Sequence, residues 1–176
     1  MKYLSETKAI ESLREVRESF AEEIRKGFEH KAKPCSVCES PGKCCLDEHF
    51  VNVRISRLEA VAIANAVKEF PDAIRARVID RIDSSIAKYA LLDDRDDEIK
   101  TYSCPLFESG IGCLVHETAK PLPCIAHACY ENEKDLPPDE LLAEREIEIE
   151  KLNEKTYGKA EPLRPIPVAV KMRLNS

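Results

Sequence analysis

From Ser5 to about His30 the apolar residues Ile10, Leu13, Val16 or Arg17 at the same turn, Phe20, Ile24 and Phe28 recur every three or four positions among Glu, Arg and Lys. That spacing predicts an amphipathic helix. Gly27 and Pro34 supply its stop signals, so the chain should leave the helix there and enter an irregular segment. Residues 34–48 contain Pro34, Pro41, Gly42 and four cysteines, a composition that reads as a tight knuckle. His49, Val51, Val53 and Ile55 then alternate with Phe50, Asn52 and Arg54, which predicts a short strand. Ser56 followed by Glu59 has the capping-box form, so a helix should run from Arg57 to about Glu69 and break at Phe70-Pro71.

Asp72 is placed to cap a further helix, whose ladder of Ile74, Val78, Ile82, Ile86 and Tyr89 extends through Ala90-Leu91-Leu92 to the acidic run at residues 93–98. A helix from about Asp139 to Tyr157 carries Leu142, Ile149 and Leu152 on one face and has Gly158 as its terminator. Pro162, Pro165 and Pro167, followed by Val168-Ala169-Val170, predict an extended tail packed along the body or forming an edge strand. The expected fold is therefore mainly α: a helical scaffold around a cysteine-rich loop core, with at most a short strand or two. We expect a single domain over residues 1–176, with the cysteine region at 35–129 between an N-terminal helix (5–30) and a C-terminal helix plus extended tail (139–176).

What such a scaffold would hold follows from its cysteines. Cys35, Cys38, Cys44 and Cys45 form one cluster and Cys104, Cys113, Cys124 and Cys129 a second, with helical, cysteine-free sequence between them. At 176 residues the chain is long enough to fold without covalent staples. No apolar leader opens it and its apolar runs are too short to span a bilayer, so the expected setting is the cytoplasm. Thiols persist in that reducing compartment, which makes metal ligation or redox chemistry a better account of eight clustered cysteines than four disulfides. The net charge of −6, with Lys and Arg dispersed among Glu and Asp, argues against a nucleic-acid partner. The acidic run at 93–98 lacks the glycine and ligand spacing of a calcium loop and reads as a solvated connection.

Thiolate is a soft ligand suited to zinc and iron, and Cys35-x-x-Cys38 lets two sulfurs face one centre. A dithiol redox site has the same spacing but opens a helix, whereas Ser40-Pro41-Gly42 follows here. Cys44 and Cys45 are adjacent and, on an extended backbone, would point to opposite faces. The spacers between Cys104, Cys113 and Cys124 exceed those of a zinc-finger half-site, so the fold must gather these residues. Pro105 gives Cys104 a rigid turn. Eight thiols exceed the four that one zinc or one four-iron cluster takes, which leaves either two sites or some thiols outside the ligand shell. His116 and His127 are further candidates through neutral imidazoles, although histidines in such apolar surroundings are more often structural, and His49 is a weaker one.

The order Cys35-x-x-Cys38, Cys44-Cys45, Cys104-Pro105-Leu106-Phe107, Cys113-Leu-Val-His116-Glu117 and Lys120-Pro121-x-x-Cys124 resembles the YkgJ-type cysteine-cluster family of zinc- or iron-chelating domains, over roughly residues 35–129. The spacer before the cysteine pair is longer than the short form of that motif, Ile125 stands where the family has Arg, and Cys129 is an addition. The resemblance implies binding of a metal ion or an iron–sulfur cluster; flagellin lysine N-methylases are similar to the family in their cysteine region. On this basis the leading expectation is an iron–sulfur protein serving electron transfer or a redox reaction, with Cys35, Cys38, Cys45, Cys104, Cys113 and Cys124 as principal ligands. The alternative is a non-catalytic zinc module that presents a surface to a protein partner. A third expectation, an enzyme that modifies protein lysines, finds no Gly-x-Gly-x-x-Gly or phosphate loop to hold a donor. Whether the chain is an enzyme stays open at this point.

Overall fold

The computed structural model describes residues 3–34, 37, 42–46, 52–92 and 100–175. Cys35, Cys38, His49, most of the strand expected at 49–55 and the acidic run at 93–98 lie outside the described residues. The fold is mainly α, with short antiparallel strand pairs. By its contacts the chain divides into two compact units: Met1–Glu39 with Lys120–Pro162, and Ser40–Ala119 with Leu163–Ser176.

In the first unit α1 (Glu6–Gly27) begins where the Ser5 side chain accepts the Lys8 N–H, and it stops at Gly27. Ala9, Leu13, Phe20 and Ile24 form its buried stripe, and Arg17 is buried among them. A guanidinium is tolerated there because its Nε donates to the Lys120 carbonyl at 2.8 Å. Against α1 pack α5 (Leu122–Ala126) and α6 (Asp139–Tyr157). At one end of α1 the Tyr157 hydroxyl donates to Glu6 at 2.8 Å, and near the other Arg145 pairs with Glu23 at 3.1 Å, so α1 and α6 run antiparallel. Gly158, at φ +77°, ends α6 as expected. A short pair, β1 (Ala32–Lys33) with β5 (Cys129–Tyr130), sets Lys33 opposite Cys129.

The second unit is built on α2 (Arg57–Lys68), α3 (Asp72–Lys88) and α7 (Ile166–Leu174), with β2 (Arg54–Ile55) paired to β6 (Arg164–Pro165). The capping box that opens α2 is complete: Glu59 accepts the Ser56 N–H at 2.9 Å and returns its own N–H to the Ser56 hydroxyl at 3.2 Å. Ile63, Val67, Val78, Ile82, Val168 and Val170 meet in one core. Tyr102 lies fully buried in it; its hydroxyl donates to the Val53 carbonyl and accepts the Ile166 N–H at 3.1 Å. One side chain thus satisfies an orphan donor in the first turn of α7 and anchors the strand entering β2.

Three local expectations are corrected. The tail expected to be extended forms α7, because Pro165 stands at the cap and Pro167 in the first turn, where a missing N–H costs nothing. Ile166, Val168, Ala169 and Val170 are buried along its first half, whereas Met172 farther on is exposed. Asp72 is the first residue of α3 rather than its cap, a place taken by Pro71. Finally, α3 stops at Lys88 instead of running on through Leu92: the Leu91 N–H turns back to the Ile86 carbonyl at 3.1 Å and Ala90 takes φ +48°, a closing turn in which glycine is the common residue.

Replacing Tyr102 by Phe keeps the ring and strips two buried backbone groups of their partner. We predict a loss of about 1–3 kcal/mol, read as a lower urea midpoint at unchanged slope.

Candidate metal centre

The segment carrying Cys104 is irregular and pairs only part of its own backbone, the Phe107 N–H donating to the Cys104 carbonyl at 3.2 Å, so side chains of α3 supply further partners. Arg77, Arg81 and Ser85 stand four residues apart and form one row on that helix. The Ser85 hydroxyl donates to the Ser103 carbonyl at 3.0 Å, and Arg81 Nε donates to the Pro105 carbonyl at 2.8 Å. Arg77 and Arg81 also grip Glu108, at 2.8 and 3.4 Å. The hydrogen bond from Arg77 is the main reason the Glu108 carboxyl lies below its ordinary range, against the opposing effect of burial. From the other direction the Cys104 N–H donates to the Cys45 carbonyl at 2.8 Å.

Beyond Pro105 the chain forms a hairpin of β3 (Phe107–Glu108) and β4 (Gly112–Cys113), in which Phe107 faces Cys113. Gly110 and Gly112, both at positive φ, shape its turn. The register brings Cys113 close enough to Cys104 for the two thiols to interact electrostatically. Burial pushes the Cys104 thiol up to about 12; the N–H groups of Leu106 and Phe107, directed at its sulfur, and Arg81 oppose that shift, while Cys113 adds to it. A sulfur with two backbone donors aimed at it and a second thiol beside it is built to carry negative charge once a cation is present. Without a cation the same burial keeps it neutral and a poor nucleophile.

Cys44 and Cys45 lie on a 3₁₀ turn (Lys43–Cys45), not on the extended backbone the sequence led us to expect. Successive side chains there diverge by about 120° rather than 180°. Gly42 precedes them at φ +83°, and a Cβ at that position would fall on the Phe107 ring. The close approach ties this turn to the hairpin.

In the first unit Cys124 sits on α5 and Cys129 on β5, both partly buried. The Tyr130 hydroxyl next to Cys129 is buried with no hydrogen-bond partner among the described residues, and burial followed by Glu29 raises its pKa. His116, exposed on α4 (His116–Ala119), lies 3.6 Å from Glu117, and His127 is exposed beyond α5; neither is gathered with the thiols. Among the described residues no three His, Cys, Asp or Glu side chains are grouped as a metal-binding set. What the described residues do bring together is the Cys104 and Cys113 pair, with the Cys44-Cys45 turn tethered to it. This donor set suits a soft cation.

Arg81, Ser85 and Tyr102 were not singled out from the sequence. The four-residue spacing of Arg77, Arg81 and Ser85 was a readable signal, since it marks one polar row on a helix whose other face is apolar. No family model matches the chain, and neither a curated protein nor a solved structure does.

A methyl group at Gly42 meets both a strained φ and the Phe107 ring. Gly42→Ala should therefore lower stability by at least about 2 kcal/mol in a denaturant titration, whereas Gly27→Ala, with open space around it, should not.

Proposed function

We propose that this chain is a cysteine-ligated metal protein carrying an iron–sulfur centre that serves electron transfer or a redox reaction. The observation that supports this best is the surroundings of Cys104: a partly buried thiol near Cys113, on a backbone held by α3 through Arg81 and Ser85. In this reading Cys104 and Cys113 hold the centre together with the Cys44-Cys45 turn. An iron–sulfur cluster, when bound, supplies one-electron chemistry whose potential depends on hydrogen bonds to its sulfurs and on burial. The residues of this chain contribute both: backbone donors at Cys104, and an apolar backing from Leu106 and Val115, each of which is buried.

The division into units bears on the count of ligands. Among the described cysteines, Cys44, Cys45, Cys104 and Cys113 belong to one unit, and Cys124 and Cys129 to the other. The four thiols of the second unit match the number that one four-thiolate centre takes. We place the protein in the cytosol, where its thiols stay reduced; no described helix is long and apolar enough to cross a membrane.

Purified without oxygen, the protein should be brown, with acid-labile sulfide and iron in matching amounts. Cys113→Ser should remove most of that metal, and Cys129→Ser, in the other unit, should remove less. A colourless protein with stoichiometric zinc and no sulfide would instead establish the zinc module.

A further inference from the structure

A groove of about 620 Å³ opens in the second unit between the end of α3 and α7, and it contains no cysteine. Its walls are apolar: Ile86, Ala87 and Ala90 on one side, Val168 and Met172 on the other. Leu92 and Met172, 69% and 42% exposed, leave large apolar surfaces on it uncovered. Two cations and one anion stand along it. Lys171 is neutralised by Asp83 at 2.5 Å. Arg164 is held by its backbone in β6 opposite Ile55, and its guanidinium makes no hydrogen bond or ion pair among the described residues.

We propose that this groove binds a small amphipathic carboxylate, an aliphatic acid whose tail lies against α3 and α7 and whose head is taken by Arg164. The volume lies within the usual range of small-molecule sites, and such sites pair an apolar lining with a few placed polar groups. A guanidinium matches a carboxylate with two parallel N–H donors, and one uncompensated positive charge beside an apolar wall complements one negative head on an apolar body. In a chain of net charge −6, a cation without a partner among the described residues, next to exposed apolar surface, gives the groove its ligand class. Because the groove lies apart from the cysteines, the inference does not depend on the metal reading.

The test is calorimetric titration of the full chain with octanoate, decanoate and dodecanoate, each below its micelle concentration, and with methyl decanoate as the uncharged counterpart. Affinity should rise about threefold to fourfold with each added methylene. Decanoate should bind at least tenfold more tightly than its ester. Arg164→Gln should bring decanoate down to the level of the ester without weakening the ester, and Arg164→Lys should restore part of the difference. Ala87→Trp, at an exposed position, should block both ligands by filling the groove. Absence of decanoate binding, equal binding of acid and ester by the unaltered protein, or an unchanged decanoate affinity in Arg164→Gln would each overturn the proposal.

Discussion

A cysteine on irregular backbone can serve a metal only if the carbonyls and N–H groups around it are satisfied, because an unpaired buried polar group costs as much as the contact it would support. At Cys104 that constraint is met from outside the segment. Ser85 takes the Ser103 carbonyl, Arg81 the Pro105 carbonyl, and the Cys45 carbonyl takes the Cys104 N–H. The Phe107 N–H in turn donates to the Cys104 carbonyl at 3.2 Å, and the backbone N–H groups of Leu106 and Phe107 on that side moderate the rise of the Cys104 pKa. The geometry of the candidate centre thus derives from three polar side chains on one helix face, with the apolar face of that helix, Val78 and Ile82, buried in the core.

Tyr102 extends the same logic two residues upstream. Its hydroxyl joins the backbone before β2 to the first turn of α7, so the approach to Cys104 is pinned in the core before the chain reaches the surface. The hairpin after Pro105 returns Cys113 to Cys104, and Glu108, gripped by Arg77 and Arg81, holds that hairpin against α3. Gly42 under the Phe107 ring brings the Cys44-Cys45 turn to the same place. Local contacts thus bring Cys113 toward Cys104 and tether the Cys44-Cys45 turn to the same hairpin, although among the described residues no three of these thiols are grouped as a metal-binding set.

The helices were legible wherever period and caps agreed. Ser5 caps α1, which ends at Gly27, short of the His30 expected, while Ser56 with Glu59 opens α2 and Gly158 ends α6 where the sequence placed them. The tail was misread because prolines were weighed as helix breakers, although at the cap and in the first turn they start a helix; the burial of Val168 and Val170 then overrides the β-branched preference for strands. The cysteines stood out as candidate ligands by residue type and spacing. Their surroundings did not, since Arg17 reaching Lys120 or Arg81 reaching Pro105 is a long-range pairing with no local signature. At Cys44-Cys45 the divergence of the two side chains was argued on an extended backbone, whereas Gly42, already part of the expected knuckle, takes a left-handed conformation and leads into a 3₁₀ turn.

The central claim is that thiolates of this chain, with Cys104 and Cys113 among them, hold a soft metal. X-ray absorption at the metal edge of the anaerobically prepared full chain tests it most directly. The account predicts a first shell of sulfur alone at about 2.3 Å, diminished in Cys104→Ser. A shell dominated by nitrogen or oxygen, or one unchanged by that substitution, would contradict it.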